Sequence, residues 1–435
     1  GHMEKTQQVR RALLKDLYSG RYDAQESLPS LAMLRWRYGV SYGPLKRACD
    51  QLVAEGHLER YKRWYRKATV KQTAPRHRIV LFVRILPSGK IWTGNPWLTS
   101  VVYHLQHRCT LRNILLQVVP TYYRNDVYTI SPDFTRSLKQ PRYRDTVFGF
   151  VYTDILINDD FAHDTFIEQL ADTGRPVAVV NTRDLWGAHL PAVPRRDSVQ
   201  LFSLCSGADA GRAAARYLID KGHRHITFLA DTMSAMHAQH RLHGIQSVVA
   251  EAGDGYHLSL ATVDTREGLA EAPLSRWLEE EMQHVDTYSA QLLRRSRLDA
   301  TAYERLVQPL VSQIGTDMQA QLRAAHKRAA LVSIADKALR NDPGTAWVCP
   351  SDTLALIALD LLASRGIAVP REKAVMGFDD SEKAFTRNLT SFNFDPMGLF
   401  EMIVSWVLDY PSRVPANAPV DFYTSKGYVV ERATA

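Results

Sequence analysis

Seven short apolar runs constrain this chain more than any other feature: Ile79–Val83, Ile114–Val119, Val147–Val151, Val177–Val180, Ile226–Leu229, Ala346–Cys349 and Ala374–Phe378. Helical periodicity fills most of the intervals between them. Strands that are apolar on both faces and separated by helices are satisfied by a parallel sheet, with crossover helices covering each side. The expected fold class is therefore α/β. Ligands of such sheets bind beyond the carboxyl ends of the strands, so the loops following each run are where a binding site belongs.

The first seventy residues read differently. Residues 1–75 hold 15 Lys and Arg against 7 Asp and Glu, whereas the other 360 residues hold 39 of each. The whole positive excess sits in the first sixth of the chain, as expected when one domain faces nucleic acid. Gly1-His2-Met3 has the character of a cloning remnant. Val9, Leu13, Leu17 and Tyr18 predict a helix over 4–19, ended by Gly20. Leu28-Pro29-Ser30 opens a second helix with Ser30 as N-cap, closed by Gly39. Ser41 caps a third, with Pro44 in its first turn. There Leu45, Ala48, Cys49, Leu52 and Val53 form one buried stripe, leaving Tyr42, Lys46, Arg47 and Asp50 outside it. Two short helices joined by a Gly-containing turn make a helix-turn-helix, whose second helix reads the major groove with its N-terminal residues. A hairpin of 57–61 and 68–70 follows, with Lys62, Arg63, Arg66 and Lys67 flanking its tip and Trp64 and Tyr65 between them. That hairpin suits phosphate contacts.

The run SLPSLAMLRWRYGVSYGPLKRACDQLVAEGHLER resembles the GntR-type winged helix. Leu28, Pro29, Ser30, Gly39, Val40, Ser41, Ala48, Leu52, Glu55 and Gly56 match its pattern. The resemblance implies DNA binding, with Ser30, Ser41, Tyr42, Lys46, Arg47, Lys62, Arg63 and Arg66 as the contact residues. Three departures bear on sequence preference. Leu31 and Ala32 stand where the family usually has Glu-Arg, Tyr42 replaces a frequent Arg, and Arg63, Trp64, Tyr65 and Arg66 occupy a usually glycine-rich wing tip. The charge that attracts phosphate is nevertheless present.

Beyond a polar linker at 71–78, several blocks resemble the LacI-type effector domain, a fold shared with periplasmic sugar-binding proteins. They are GADAGRAAARYLIDKGHRHITFL, RLHGIQSVVAEAG, TAWVCPSDTLALIALDLLASRGIAVPREKAVMGFDDSE, LTSFNFDPMGLFEMIVSWVL and GYVVERATA, in the family's order. The resulting division is a winged helix at 4–70 and an effector domain at 79–435. Lobe one takes about 79–200 and 389–412, and lobe two about 201–388 and 420–432. Residues 255–340 exceed what the family needs. They are rich in helix formers and predict two or three added amphipathic helices on lobe two, with three roles open, covering the cleft, contacting a partner or packing on the side, of which lateral decoration is the expectation.

The resemblance implies that Arg241 and Asp352 bind effector, Arg241 as a cationic fork and Asp352 through sugar hydroxyls. One of Asp379 and Asp380 is expected to reach the cleft, with Asp380 taken as that residue. In lobe one, position after a strand nominates Trp92, Asn95, Trp97, Thr153, Asp154, Asn181, Arg183 and Trp186. Tryptophan faces stack well on sugar rings, so at least one tryptophan is expected to line the cleft without the sequence saying which; Trp92, Trp97, Trp186 and, by position alone, Asp154 complete the expected site. No GxSxG, HExxH, Walker or GxGxxG motif occurs. No cofactor-binding lysine pattern marks the aminotransferase-like domain that can also follow a GntR-type head. The four dispersed cysteines, Cys49, Cys109, Cys205 and Cys349, suggest neither metal nor disulfide and fit a reducing compartment. No secretory signal or membrane span is evident. The expectation is a cytoplasmic, homodimeric, cofactor-free repressor of carbohydrate genes, released from or driven to operator DNA by a sugar-like effector. Two alternatives stay open: a large domain serving as a protein-interaction platform, and an enzyme with an unrecognised site.

Overall fold

The computed structural model describes residues 2–23, 25–68, 77–85, 91, 98–124, 127–153, 163–181, 196–230, 236–262, 271–410 and 423–435. The head comprises α1 (His2–Tyr18), α2 (Leu31–Tyr38), α3 (Tyr42–Ala54), β1 (Leu58–Tyr61) and β2 (Trp64–Lys67). Val9, Leu13 and Leu17 of α1 meet Leu34 of α2 and the stripe Leu45, Ala48, Cys49 and Leu52 of α3 in one core, with Val53 at its edge. Ser30 caps α2, its hydroxyl accepting from the Met33 N–H at 3.2 Å, and Gly39 ends that helix at φ 62°. Ser41 holds the N-cap position of α3 but makes no side-chain cap hydrogen bond.

The wing departs from the sequence reading. Its second strand is 64–67 rather than 68–70, and it pairs Tyr61 with Trp64 across a Lys62-Arg63 turn. Tyr65 sets this register. Its ring is buried in the head core, its hydroxyl donates to Asp50 at 2.8 Å, and its carbonyl accepts from the Leu28 N–H.

The body begins with β3 (Arg78–Arg84), α4 (Leu98–Leu111), β4 (Leu115–Arg124), β5 (Val127–Ile130), α5 (Pro132–Leu138), α6 (Pro141–Asp145), β6 (Val147–Tyr152), α7 (His163–Ala171), β7 (Val177–Asn181) and β8 (Val199–Ser203). These strands form one sheet in the order β5-β4-β3-β6-β7-β8, parallel except for β5. An aromatic cluster of Phe82, Phe134, Phe150, Tyr152 and Phe166 fills one face.

The chain continues through α8 (Gly207–Asp220), β9 (His225–Ala230), α9 (Met236–Ala252), β10 (His257–Thr262), α10 (Glu271–Ser296), α11 (Ala300–Leu306), α12 (Gln308–Asn341), β11 (Ala346–Val348), α13 (Asp352–Ser364), β12 (Ala374–Phe378), α14 (Glu382–Thr386), β13 (Thr390–Asn393), α15 (Pro396–Leu408) and β14 (Tyr428–Val430). A second sheet runs β10-β9-β11-β12-β13-β14, antiparallel only at β14. Two corrections follow. The region 389–412 divides, because Thr390–Asn393 pairs with β12 in the second sheet while α15 joins the core of the first. The extra segment begins as an edge strand, β10, and its added helices are α10, α11 and α12. Three segments link the lobes side by side: the one after β8, the one before α15 and the one before β14. The Ser425 N–H donates to Ser203 O at 3.0 Å, and the Ser425 hydroxyl donates to Phe394 O at 2.7 Å, which ties the three together.

Candidate DNA interface and effector cleft

On the head, Tyr42, Lys46 and Arg47 are exposed along the first turns of α3, as their place outside the buried stripe requires. Lys62 and Arg63 are exposed at the wing turn, where Lys62 adopts φ 54° and rests 5.0 Å from the Tyr61 ring centre. Arg66 is different: it pairs with Glu59 across the hairpin and stacks on Tyr61 at 4.4 Å, so it braces the wing. Ser30 spends its hydroxyl on the α2 cap. The sequence reading passed over Trp36, 81% exposed on α2, although a tryptophan off the apolar stripe of a short helix was a visible signal.

The head meets the first lobe through a small ring stack. The Tyr18 hydroxyl and His57 Nδ1 are 2.6 Å apart. His57 and His77 have ring centres 5.1 Å apart, and His77 stacks on Phe148 at 5.0 Å and 24°. Tyr18 closes the set against Phe148 at 5.5 Å. Arg112 of the lobe adds a hydrogen bond to Ser19 O. The stack joins the end of α1 and the base of the wing to the amino-terminal side of β3 and β6. The segment 69–76, most of the expected linker, lies outside the described residues.

At the carboxyl ends of the second sheet, Arg241 is 6% exposed in the second turn of α9. Its guanidinium lies 4.9 Å from the ring centres of both Phe378 and Phe394. Nη1 donates to Pro350 O, and Nη2 stands 3.7 Å from Asp379 Oδ1. Close backbone approach of α8 and α9 fixes this placement: a Cβ on Gly211 would collide with Arg241 O, and one on Gly244 with Ala208 O.

Asp352 begins α13 and is 3% exposed. Its Oδ2 accepts from the Ser381 N–H at 2.8 Å and its Oδ1 from the Ser391 hydroxyl at 2.7 Å. Burial outweighs these bonds and raises its pKa to about 6. Asp380 accepts from Arg432 Nη2 at 2.6 Å and from Asn393 Nδ2 at 3.0 Å, and so anchors the closing strand. Asp379, held at φ 97°, is the aspartate of the pair that faces Arg241. The sequence reading took Asp380 for the cleft; the hydrogen bonds tie it into the lobe instead. Phe394, Ser381 and Ser391 were not singled out, because each lies far in sequence from the group it contacts.

The first lobe's share of the site is less complete. Thr153 is buried and its hydroxyl donates to Phe82 O at 2.7 Å. Trp92, Asn95, Trp97, Asp154, Arg183 and Trp186 lie outside the described residues. Cys49, Cys109, Cys205 and Cys349 are buried and form no disulfide, and no group of metal-ligating side chains occurs among the described residues. No helix among them is long and apolar enough to cross a membrane.

Residues 5–64 match the bacterial regulatory proteins of the gntR family, and residues 280–434 match the periplasmic binding protein-like domain. An HTH-type transcriptional regulator of Mycolicibacterium smegmatis (strain ATCC 700084 / mc(2)155) is 48% identical over 58 residues, which are 13% of this chain. The chain spans 16% of that curated relative's length. Similar solved structures include a transcriptional regulator CelR–cellobiose complex, 16% identical, covering 94% of this chain and 100% of that one, with TM-score 0.42. The Escherichia coli transcriptional repressor ascG is 14% identical, covers 82% of this chain and 99% of its own, and has TM-score 0.46.

Proposed function

From a chain that carries a gntR-family domain at its N-terminus and a periplasmic binding protein-like domain at its C-terminus, we propose a DNA-binding transcription regulator controlled by a small effector held between two lobes. Both matches are to regulatory and binding families rather than to enzymes. The observation that carries the reading is the exposure of Lys46 and Arg47 on α3 and of Lys62 and Arg63 at the wing turn, on a head where Arg10, Arg60, Arg66 and Lys67 pair with Glu55, Asp50, Glu59 and Asp23. In this reading Tyr42, Lys46 and Arg47 enter the major groove and the wing turn contacts phosphate. Ser30 and Arg66 hold those elements in place.

The effector is proposed to be sugar-like. Arg241 with Asp379 would offer a charged pair at the lobe-two wall, Asp352 would support the adjacent loop, and Trp92, Trp97, Asp154 and Trp186 would supply the facing wall. The protein would work in the cytoplasm as a homodimeric repressor on a pseudo-palindromic operator. Effector and operator would alter each other's affinity by the same factor.

Two measurements test this. A thermal-shift screen against mono- and disaccharides, uronic acids, purines and amino acids should show a sugar hit, since a ligand at 100 times its Kd stabilises by about 2.7 kcal/mol. Duplex DNA selected from a random pool should then change affinity when that sugar is added. Selection without enrichment would remove the DNA-binding reading, and enrichment without any effector response would favour the interaction platform.

A further inference from the structure

The structure assigns a second copy of this chain as the partner of the helical arm that α10 and α12 form on the second lobe. The inference goes beyond the effector reading and does not depend on it. α12 has 34 residues, roughly 50 Å at 1.5 Å per residue. Its last turns pack on α13 through Leu331, Ile334 and Ala335. Its earlier turns run against α10 and α11, with Gly315 so close to α10 that a Cβ there would sit 2.7 Å from the Met282 sulfur.

On α10 the side facing α12 is Leu278, Met282, Val285 and Ser289. One position earlier at each step come Trp277, Glu281, His284 and Tyr288, and the same face continues to Arg295. On α12 the packed side includes Val311 and Gly315, and one position earlier come Leu310 and Ile314. In an antiparallel helix pair, a backward step of one residue rotates both helices toward the same side. Trp277, Tyr288, Leu310 and Ile314 therefore share one face of the arm, and they are 43%, 54%, 69% and 50% exposed. Leu306, at the end of α11, is 67% exposed. A large apolar face on a soluble chain needs a partner.

The spacing along that face is self-complementary. Glu281 and Arg295 lie seven residues either side of Tyr288 on the one helix α10. Since Met282 is level with Gly315, Tyr288 and Leu310 stand at nearly the same height on the arm. A two-fold axis there lays α10 antiparallel on its copy and α12 on its copy. Tyr288 then meets the second Tyr288, and Leu310 meets the second Leu310. Each Glu281 meets an Arg295. The closed contact is isologous, as a C2 dimer requires. The charge pattern also fixes direction: a parallel pairing would set Glu281 against Glu281 and Arg295 against Arg295.

The test uses full-length protein with single cysteines under mild oxidation, the native four being buried. Tyr288→Cys should give a covalent dimer, because residues on the axis bring their Cβ atoms within disulfide reach. Gln283→Cys, on the opposite side of α10, should crosslink at least tenfold less. On the Tyr288→Cys background, Arg295→Glu should lower the yield several-fold, and adding Glu281→Arg should restore it. Absence of a dimer at position 288, equal yield at 283, or a charge swap that fails to restore the yield would each overturn the assignment.

Discussion

Asp342 and Asp352 are both buried in the second lobe, yet their surroundings drive them in opposite directions. Burial pushes Asp342 up, but hydrogen bonds from Thr227, Trp347 Nε1 and the Gly344 N–H, together with Lys373 at 3.3 Å, bring it below the ordinary carboxylate range. Its contribution to stability is present above the unfolded pKa and is lost as pH falls through the lower folded value. Asp342→Asn strands the buried Lys373 ammonium and should cost about 3–5 kcal/mol at neutral pH, read from urea midpoints. Asp352 has the reverse sign. With a folded pKa of about 6, the folded state holds its proton more tightly than the unfolded chain does. That contribution is complete below about pH 4 and disappears as pH rises through about 6. Asp352→Asn should therefore flatten the stability profile between those values and cost little at pH 7; an unchanged slope would refute the assignment. On the head, side chains of one charge have different duties. Lys62→Ala should lower the salt slope of DNA binding by about one, whereas Arg66→Ala should loosen the wing and weaken binding without that specific change in slope.

At the scale of elements, the α8–α9 contact bears most directly on the site. Gly211 and Gly244 permit backbone-to-backbone approach, and α9 carries Arg241. Gly244→Ala must push the helices apart, and overpacking of this kind costs about 1–3 kcal/mol. The expected result is a lower urea midpoint at unchanged m-value, together with a weaker thermal shift from the effector because Arg241 moves. All seven apolar runs became strands; six of them are almost wholly buried, and only Ile114–Val119 turns one residue, Val118, to solvent. The strands that went unread are β5, β8, β10 and β13. They are short or lie toward sheet edges, and a sequence such as HLSLAT in β10 mixes polar and apolar positions because one side meets solvent. The wing strand 64–67 was hidden by its charges, since only Tyr65 points into the core. The candidate site was legible as a set of loops at strand ends, and the structure places Arg241 and Asp352 at the carboxyl ends of the second sheet. Their pairing with Phe394 and Ser391 was not legible, because it depends on how the crossing segment after β13 returns over the second sheet.

For the whole molecule, the decisive question is how a change between the lobes reaches the head. The main contact is the ring stack of Tyr18, His57, His77 and Phe148, which grips the first lobe at the amino-terminal ends of β3 and β6, with the Arg112 hydrogen bond to Ser19 O beside it. The lobe-crossing segments and the candidate cleft lie at the opposite ends of the same strands. A rigid parallel sheet between the two would carry a rotation of one lobe to the head as a whole-body movement, with no wire of side chains required. If the stack is the grip, loosening it should uncouple the two ends while leaving each intact. Phe148→Ala removes the ring shared by Tyr18 and His77 from a partly buried position and lies in neither binding surface. The expected outcome is an unchanged thermal shift from the effector and unchanged DNA affinity without it. The factor by which effector alters DNA affinity, typically 5- to 150-fold in coupled systems, should fall toward one. Titrating labelled operator with and without effector measures that factor directly. A Phe148→Ala protein that keeps the full factor would place the coupling elsewhere, and the arm, which would tie two second lobes together, would then be the element to alter next.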